Sequence, residues 1–159
     1  MYTSQPSRET CSPSGLRDRL VAVSLEWERA FGVAPQITSA ISEFDAAILI
    51  GCNESSYCIA MEGRTAVSRG HDFAHNDMRF QVKANRPSGK PGSFVTKVAK
   101  ATNYDWDFLL WLLYDRDYNL VEAWSWPVVA YQKKFESLSR VSPQQMRDES
   151  LAKRIYPQH

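Results

Sequence analysis

Eight residues in the second half of the chain, Asp107 to Tyr114 (D-F-L-L-W-L-L-Y), restrict the fold more than any other stretch. Beyond Asp107 every side chain is apolar or aromatic. A half-exposed strand alternates apolar with polar residues, whereas a strand covered on both faces does not. The run is also far shorter than the roughly 20 residues needed to cross a bilayer. It therefore reads as a strand buried on both sides. Asp115-Arg116-Asp117 turns the chain, and Tyr118 to Trp124 returns as a neighbouring strand.

A second strand pair lies upstream. Asp72 to His75 and Met78 to Asn85 flank Asn76-Asp77, two residues suited to a tight turn. Side chains alternate along a strand, so Gln81 and Lys83 share one face while Met78, Phe80, Val82 and Ala84 share the other. An acid at Asp72, an amide oxygen at Gln81 and an ammonium at Lys83 are thus expected to converge. That set suits binding a hard cation and activating water for phosphodiester hydrolysis.

Helices are expected on either side of this pair. Leu16, Leu20, Val23, Trp27 and Phe31 recur at helical spacing, with Gly32 placed to end the helix. Ile37, Ile41, Phe44 and Ile48 repeat the pattern up to Gly51. Asn53 to Arg69 suggests a loop with a short irregular helix. Arg86 to Gly92, rich in Pro and Gly, reads as an exposed loop. Pro127 is suited to open a helix running to about Phe135. Val141 closes a short strand, and Ser142 caps a terminal helix. Met1 to Ser14, rich in Ser, Thr and Pro, reads as a disordered tail, which leaves residues 15–159 as one domain. The order of elements predicts an α/β fold with a mixed central sheet flanked by helices.

Net charge, +1 over 159 residues, argues for no partner. Local charge is one-sided: Met78 to Tyr104 holds Arg79, Lys83, Arg86, Lys90, Lys97 and Lys100 and no acid. Such a strip fits a polyanion, although acids at Asp105, Asp107, Asp115 and Asp117 are placed to balance it across a fold. Cys11, Cys52 and Cys58 make no disulfide framework. The N-terminus has no apolar signal core and no segment suits a membrane, so the expected location is cytoplasmic.

The pieces Ser42-Glu43, Gly70-His71-Asp72, Gln81-Val82-Lys83 and Asp105 to Tyr114 resemble, in that order, the PD-(D/E)xK nuclease superfamily. The likeness is to its small restriction-endonuclease-like members, in which Gln replaces the second strand acid, and it runs from about Thr38 to Arg154. The resemblance implies a restriction-endonuclease-like core and a Mg2+- or Mn2+-dependent endonuclease acting on DNA, in restriction, phage defence or repair. It implies that Asp72, Glu43, Gln81 and the Val82 carbonyl hold the metal, with Glu43 restoring the charge that Gln81 lacks. It gives Lys83 the role of assisting water attack, and Arg79, Arg86, Lys90, Lys97, Lys100 and His71 that of contacting DNA. One site cuts one strand, so double-strand cleavage favours a homodimer, and with no separate recognition domain the expected sequence preference is either slight or supplied by a partner protein.

Other readings compete. A catalytically inactive module of the same fold, binding nucleic acid or a protein, fits the same residues. His71 and His75 have zinc-like spacing on a helix, but on a strand they stand about 13 Å apart. Trp106, Trp111, Trp124 and Trp126 suit core packing, with Trp124 and Trp126 also candidates for a subunit interface.

Overall fold

The computed structural model describes residues 12–65, 70–92 and 96–158. Residues 1–11 of the expected tail, Cys11 among them, lie outside the described residues. The helix α1 (Pro13–Phe31) takes up the rest of that segment, because Ser12 accepts from the Gly15 N–H and Pro13 sits at the first turn. Two further helices, α2 (Thr38–Leu49) and α3 (Glu54–Met61), follow.

Five strands form one mixed sheet: β1 (Phe73–His75), β2 (Met78–Asn85), β4 (Phe108–Tyr114), β5 (Leu120–Pro127) and β7 (Lys153–Tyr156), side by side in that order. β2 and β4 run parallel; the other neighbours are antiparallel. A separate small sheet pairs β3 (Val98–Ala99) with β6 (Arg140–Val141). The chain is thus α/β, with helices flanking a mixed sheet.

The central run is the most covered strand, with Leu109 to Tyr114 all buried. One face packs on α1, α2 and α3 through Phe80, Val82, Leu110, Leu112 and Tyr114. The other packs on α4 (Val128–Phe135), α5 (Pro143–Met146) and the small sheet through Leu109, Trp111, Trp126, Tyr131 and Phe135. Trp124 and Trp126 lie in that second core, 3% and 0% exposed, so neither is available as a subunit interface. Asn76 and Asp77 both have positive φ (50° and 61°), the backbone of a tight hairpin turn that Asn and Asp tolerate.

Three expectations shift. Pro127 ends β5, and the helix begins at Val128. The terminal helix is only Pro143–Met146, closed by a capping box between Ser142 and Gln145, and the chain then forms β7. On α2 the buried residues are Ile41, Ser42, Ala46 and Ala47, whereas Ile48 is 38% exposed. Small side chains let the helix lie close to the sheet, which rotates its contact face away from the Ile48 side.

Candidate active site

The site forms where β1 stops and β2 continues. Phe73 pairs with Phe80, so Asp72 stands opposite Gln81 just past the end of β1, and its N–H donates to the Phe80 carbonyl at 2.8 Å. Beyond that point the Asp72 side chain replaces the missing strand: Oδ2 accepts from the Val82 N–H and from Gln81 Nε2, both at 2.6 Å. A residue in a strand directs its N–H and C=O to the same edge, so the Val82 carbonyl faces this edge too. Gly70, at φ 102°, sets the entry to this corner with a conformation that a side chain would strain.

Gln81 and Lys83 pair with Leu109 and Trp111, which puts them on the sheet face opposite α2. Glu43 belongs to α2, on the other face. Among the described residues the two sets meet at the edge of β2 beyond the end of β1. There a cavity of about 280 Å³ is lined by Ser42, Glu43, Val82, Lys83, Lys97 and Arg140. A neighbouring one of about 370 Å³ is lined by Ser39, Glu43, Arg64, His71 and Asp72. Glu43 belongs to both.

Electrostatics mark the same corner. Burial and the charge of Asp72 push the Glu43 carboxyl up to about 7, against some relief from Arg64. Burial likewise raises Asp72, although the Val82 N–H and the charges of Lys83 and Arg64 pull it back. The charge of Lys83 therefore reaches the Asp72 carboxylate. Burial, then the charges of Arg64 and Arg79, lowers His71. Perturbed acids gathered in a cleft are a signature of functional sites.

The expected ligands Asp72, Glu43 and Val82 thus converge, and Lys83 stands beside them. Gln81 differs from expectation: its amide nitrogen, not its oxygen, faces Asp72, because an ionised carboxylate only accepts hydrogen bonds. Among the described residues there is no cluster of three or more His, Cys, Asp or Glu arranged for a metal. Two carboxylates, one raised by the other's charge, nevertheless fit a cation that takes few protein ligands and keeps its waters, as Mg2+ does.

The basic strip does not form one surface. Arg86 is 7% exposed; it bonds Glu28 at 2.7 Å and lies 4.7 Å from the Tyr118 ring centroid. It is a structural residue, fixed against the half-buried Glu28 carboxylate. Arg79 folds onto Asp107, its N–H donating at 2.8 Å. Lys90 donates to the Gly32 carbonyl, and Lys100 to that of Glu136 at 3.1 Å. Lys97 alone of the strip joins Lys83 at the cavity.

Sequence reasoning missed two cations. Arg64, at the end of the α3 segment, donates to the His71 carbonyl at 2.5 Å and lines the cavity with Asp72. Arg140 reaches the site because β6 pairs with β3, and its guanidinium donates to the Lys97 carbonyl at 2.6 Å. A charged residue in a two-residue strand carries no local signal of that pairing.

No protein-family model matches the chain, and no curated protein is similar enough to count as a relative. The functional reading therefore rests on the residues themselves.

Proposed function

We propose that this chain is a divalent-cation-dependent nuclease that hydrolyses DNA phosphodiester bonds, built on a restriction-endonuclease-like core. The observation that carries the reading is the meeting of Asp72, Glu43 and Lys83 at one open strand edge, with Lys97 and Arg140 lining the same cavity as Glu43.

Acids and cations share this edge: Glu43 and Asp72 line one cavity with Arg64, and Glu43 lines the other with Lys83, Lys97 and Arg140. A phosphodiester fits there, with its oxygens toward Lys83, Lys97 and Arg140. Asp72 and Glu43, with the Val82 carbonyl, would hold Mg2+ or Mn2+. When bound, that ion polarises the scissile phosphate and lowers the pKa of coordinated water. Lys83 orients the attacking water and offsets the negative charge that develops on phosphorus, where a compact ammonium serves well. The Val82 N–H and Gln81 fix the Asp72 carboxylate in direction, so little reorganisation is needed when the substrate arrives.

A second reading has its own observation. Both bonds from Gln81 and Val82 fall on a single oxygen of Asp72, which occupies part of its capacity. A protein that keeps the fold and binds nucleic acid without cutting it would look similar. Nicking of supercoiled plasmid with Mg2+ or Mn2+ separates the two. Cleavage by the wild type that disappears in Asp72→Ala and Lys83→Ala supports the nuclease. Salt-sensitive DNA binding with no cleavage by the wild type rejects it in favour of the binding module.

A further inference from the structure

The apolar stripe of α1 faces outward. Leu16 is 58% exposed, Leu20 40%, Val23 59%, Trp27 52% and Phe31 68%. The helix instead attaches to the body by its neighbouring face. Val21 and Ser24 are buried there, and Arg17 and Glu28 make ion pairs of 2.7 Å with Asp45 and Arg86. Two of the exposed rings, Trp27 and Phe31, lie 4.6 Å apart. The stripe is continuous with an apolar groove of about 710 Å³ between α1, α2 and α3, lined by Leu16, Leu20, Phe44, Tyr57, Ile59 and Met61. A contiguous apolar surface of this kind marks an interaction site.

We propose that this stripe is a self-association surface, in which α1 packs antiparallel against α1 of a second copy about a two-fold axis. The spacing of Leu16, Leu20, Val23 and Trp27 alternates by four and three, which is the seam of a two-helix pairing. The charges beside the seam select a second copy as the occupant. In the antiparallel register that sets Leu16 against Trp27 and Leu20 against Val23, Arg19 of one copy lies beside Glu26 of the other, and the symmetry repeats the pair. Both residues are exposed, on the flank of the stripe away from the body. A surface that complements itself in this way closes as a dimer. A membrane surface fits less well, because the polar flank mixes Asp18, Glu26, Arg19 and Arg29 rather than presenting cations alone. The five side chains expose on the order of 500 Å², and the adjoining groove extends this toward the roughly 800 Å² per partner of a stable interface.

The proposal does not depend on the nuclease reading, and its test does not use DNA. Sedimentation equilibrium of the full chain over a wide concentration range is expected to show a dimer. Trp27→Glu should give a monomer with unchanged circular dichroism, because the helix is held by its neighbouring face, through Arg17, Val21, Ser24 and Glu28. Arg19→Glu should weaken association roughly tenfold, and adding Glu26→Arg should restore it. A monomeric wild type at every concentration overturns the proposal and leaves the stripe to a different partner. A dimer that survives Trp27→Glu overturns it as well, and absence of rescue in the double reversal overturns the antiparallel pairing.

Discussion

Glu122 and Glu43 are two glutamates withdrawn from water, and the fold treats them in opposite ways. Glu122, on β5, is 8% exposed and accepts from Trp124 Nε1 and Arg147 Nε, both at 2.8 Å. Burial alone would raise its carboxyl, but the bonds from Arg147 and Trp124 outweigh that and hold it lowered. Glu43 is half-buried, faces the like charge of Asp72, and is pushed up to about 7. The first is neutralised by its own protein. The second makes no ion pair among the described residues and lines two cavities, as expected of a group waiting for a ligand.

The largest effect should separate the two sites by chemistry. Asp72→Asn keeps the size of the side chain and removes the charge next to Glu43, so plasmid nicking should fall by on the order of 10³-fold. Glu122→Gln, far from the β2 edge, should change the nicking rate by less than about threefold. Equal losses would mean that Asp72 serves the fold as Glu122 does.

Next comes cation binding, read without any reaction. A cation that binds only the folded chain stabilises it by about 2.7 kcal/mol at 100 times its dissociation constant. Thermal denaturation with Mn2+ should show a stabilisation at pH 8 that shrinks near pH 5, because protonated Glu43 is a poor ligand. Glu43→Gln should lose most of the gain and Glu122→Gln none. A gain that is independent of pH would place the cation elsewhere.

Removing the satisfied acid should matter to stability. Glu122→Ala leaves the buried Trp124 N–H without an acceptor and Arg147 without its ion, at a cost of about 2 kcal/mol. Urea denaturation measures it. An unchanged midpoint would show that Glu122 is no more structural than Glu43.

These contrasts bear on what the chain reveals before folding. Phe108–Tyr114 is readable because a strand covered on both faces must be apolar throughout. Met78–Asn85 is readable because Asn76-Asp77 fixes the hairpin and the period of two sorts its side chains. Lys153–Tyr156 is not, because a short edge strand carrying Lys and Arg has the composition that keeps edges soluble and looks like a tail. In α1, helical spacing announces a helix but not the direction its apolar stripe faces; half-buried polar partners at Asp45 and Arg86 decide that. For the site, the Asp72, Gln81 and Lys83 set follows from local geometry. Glu43 came only through the Ser42-Glu43 piece of the resemblance, and Arg140 needed the pairing of β6 with β3, which brings it to Lys97, 43 residues away. That pairing leaves no trace in the sequence around Arg140.

The smallest predicted effect is the most specific to the comparison. Below pH 4.5 Glu43 is protonated whether the chain is folded or not, and its favourable contribution is fully present. Between 4.5 and about 7 the folded chain holds a proton that the unfolded chain releases, so stability falls as pH rises. Above that range the contribution is gone. Glu43→Gln, neutral at every pH, should escape this loss. Without divalent cations it should therefore match the wild type near pH 4.5 and exceed it at pH 8. Glu43 is only half-buried and solvent screens its charge, so the gain is about 1 kcal/mol rather than the full value of the shift. Glu122→Gln should behave in the reverse sense: a lowered carboxyl stabilises above its unfolded value and is lost on acidification, so this variant should be the weaker one at pH 8. Denaturant titrations of both variants across that pH range check the pair, and two curves of the same slope would dissolve the distinction between a satisfied acid and a waiting one.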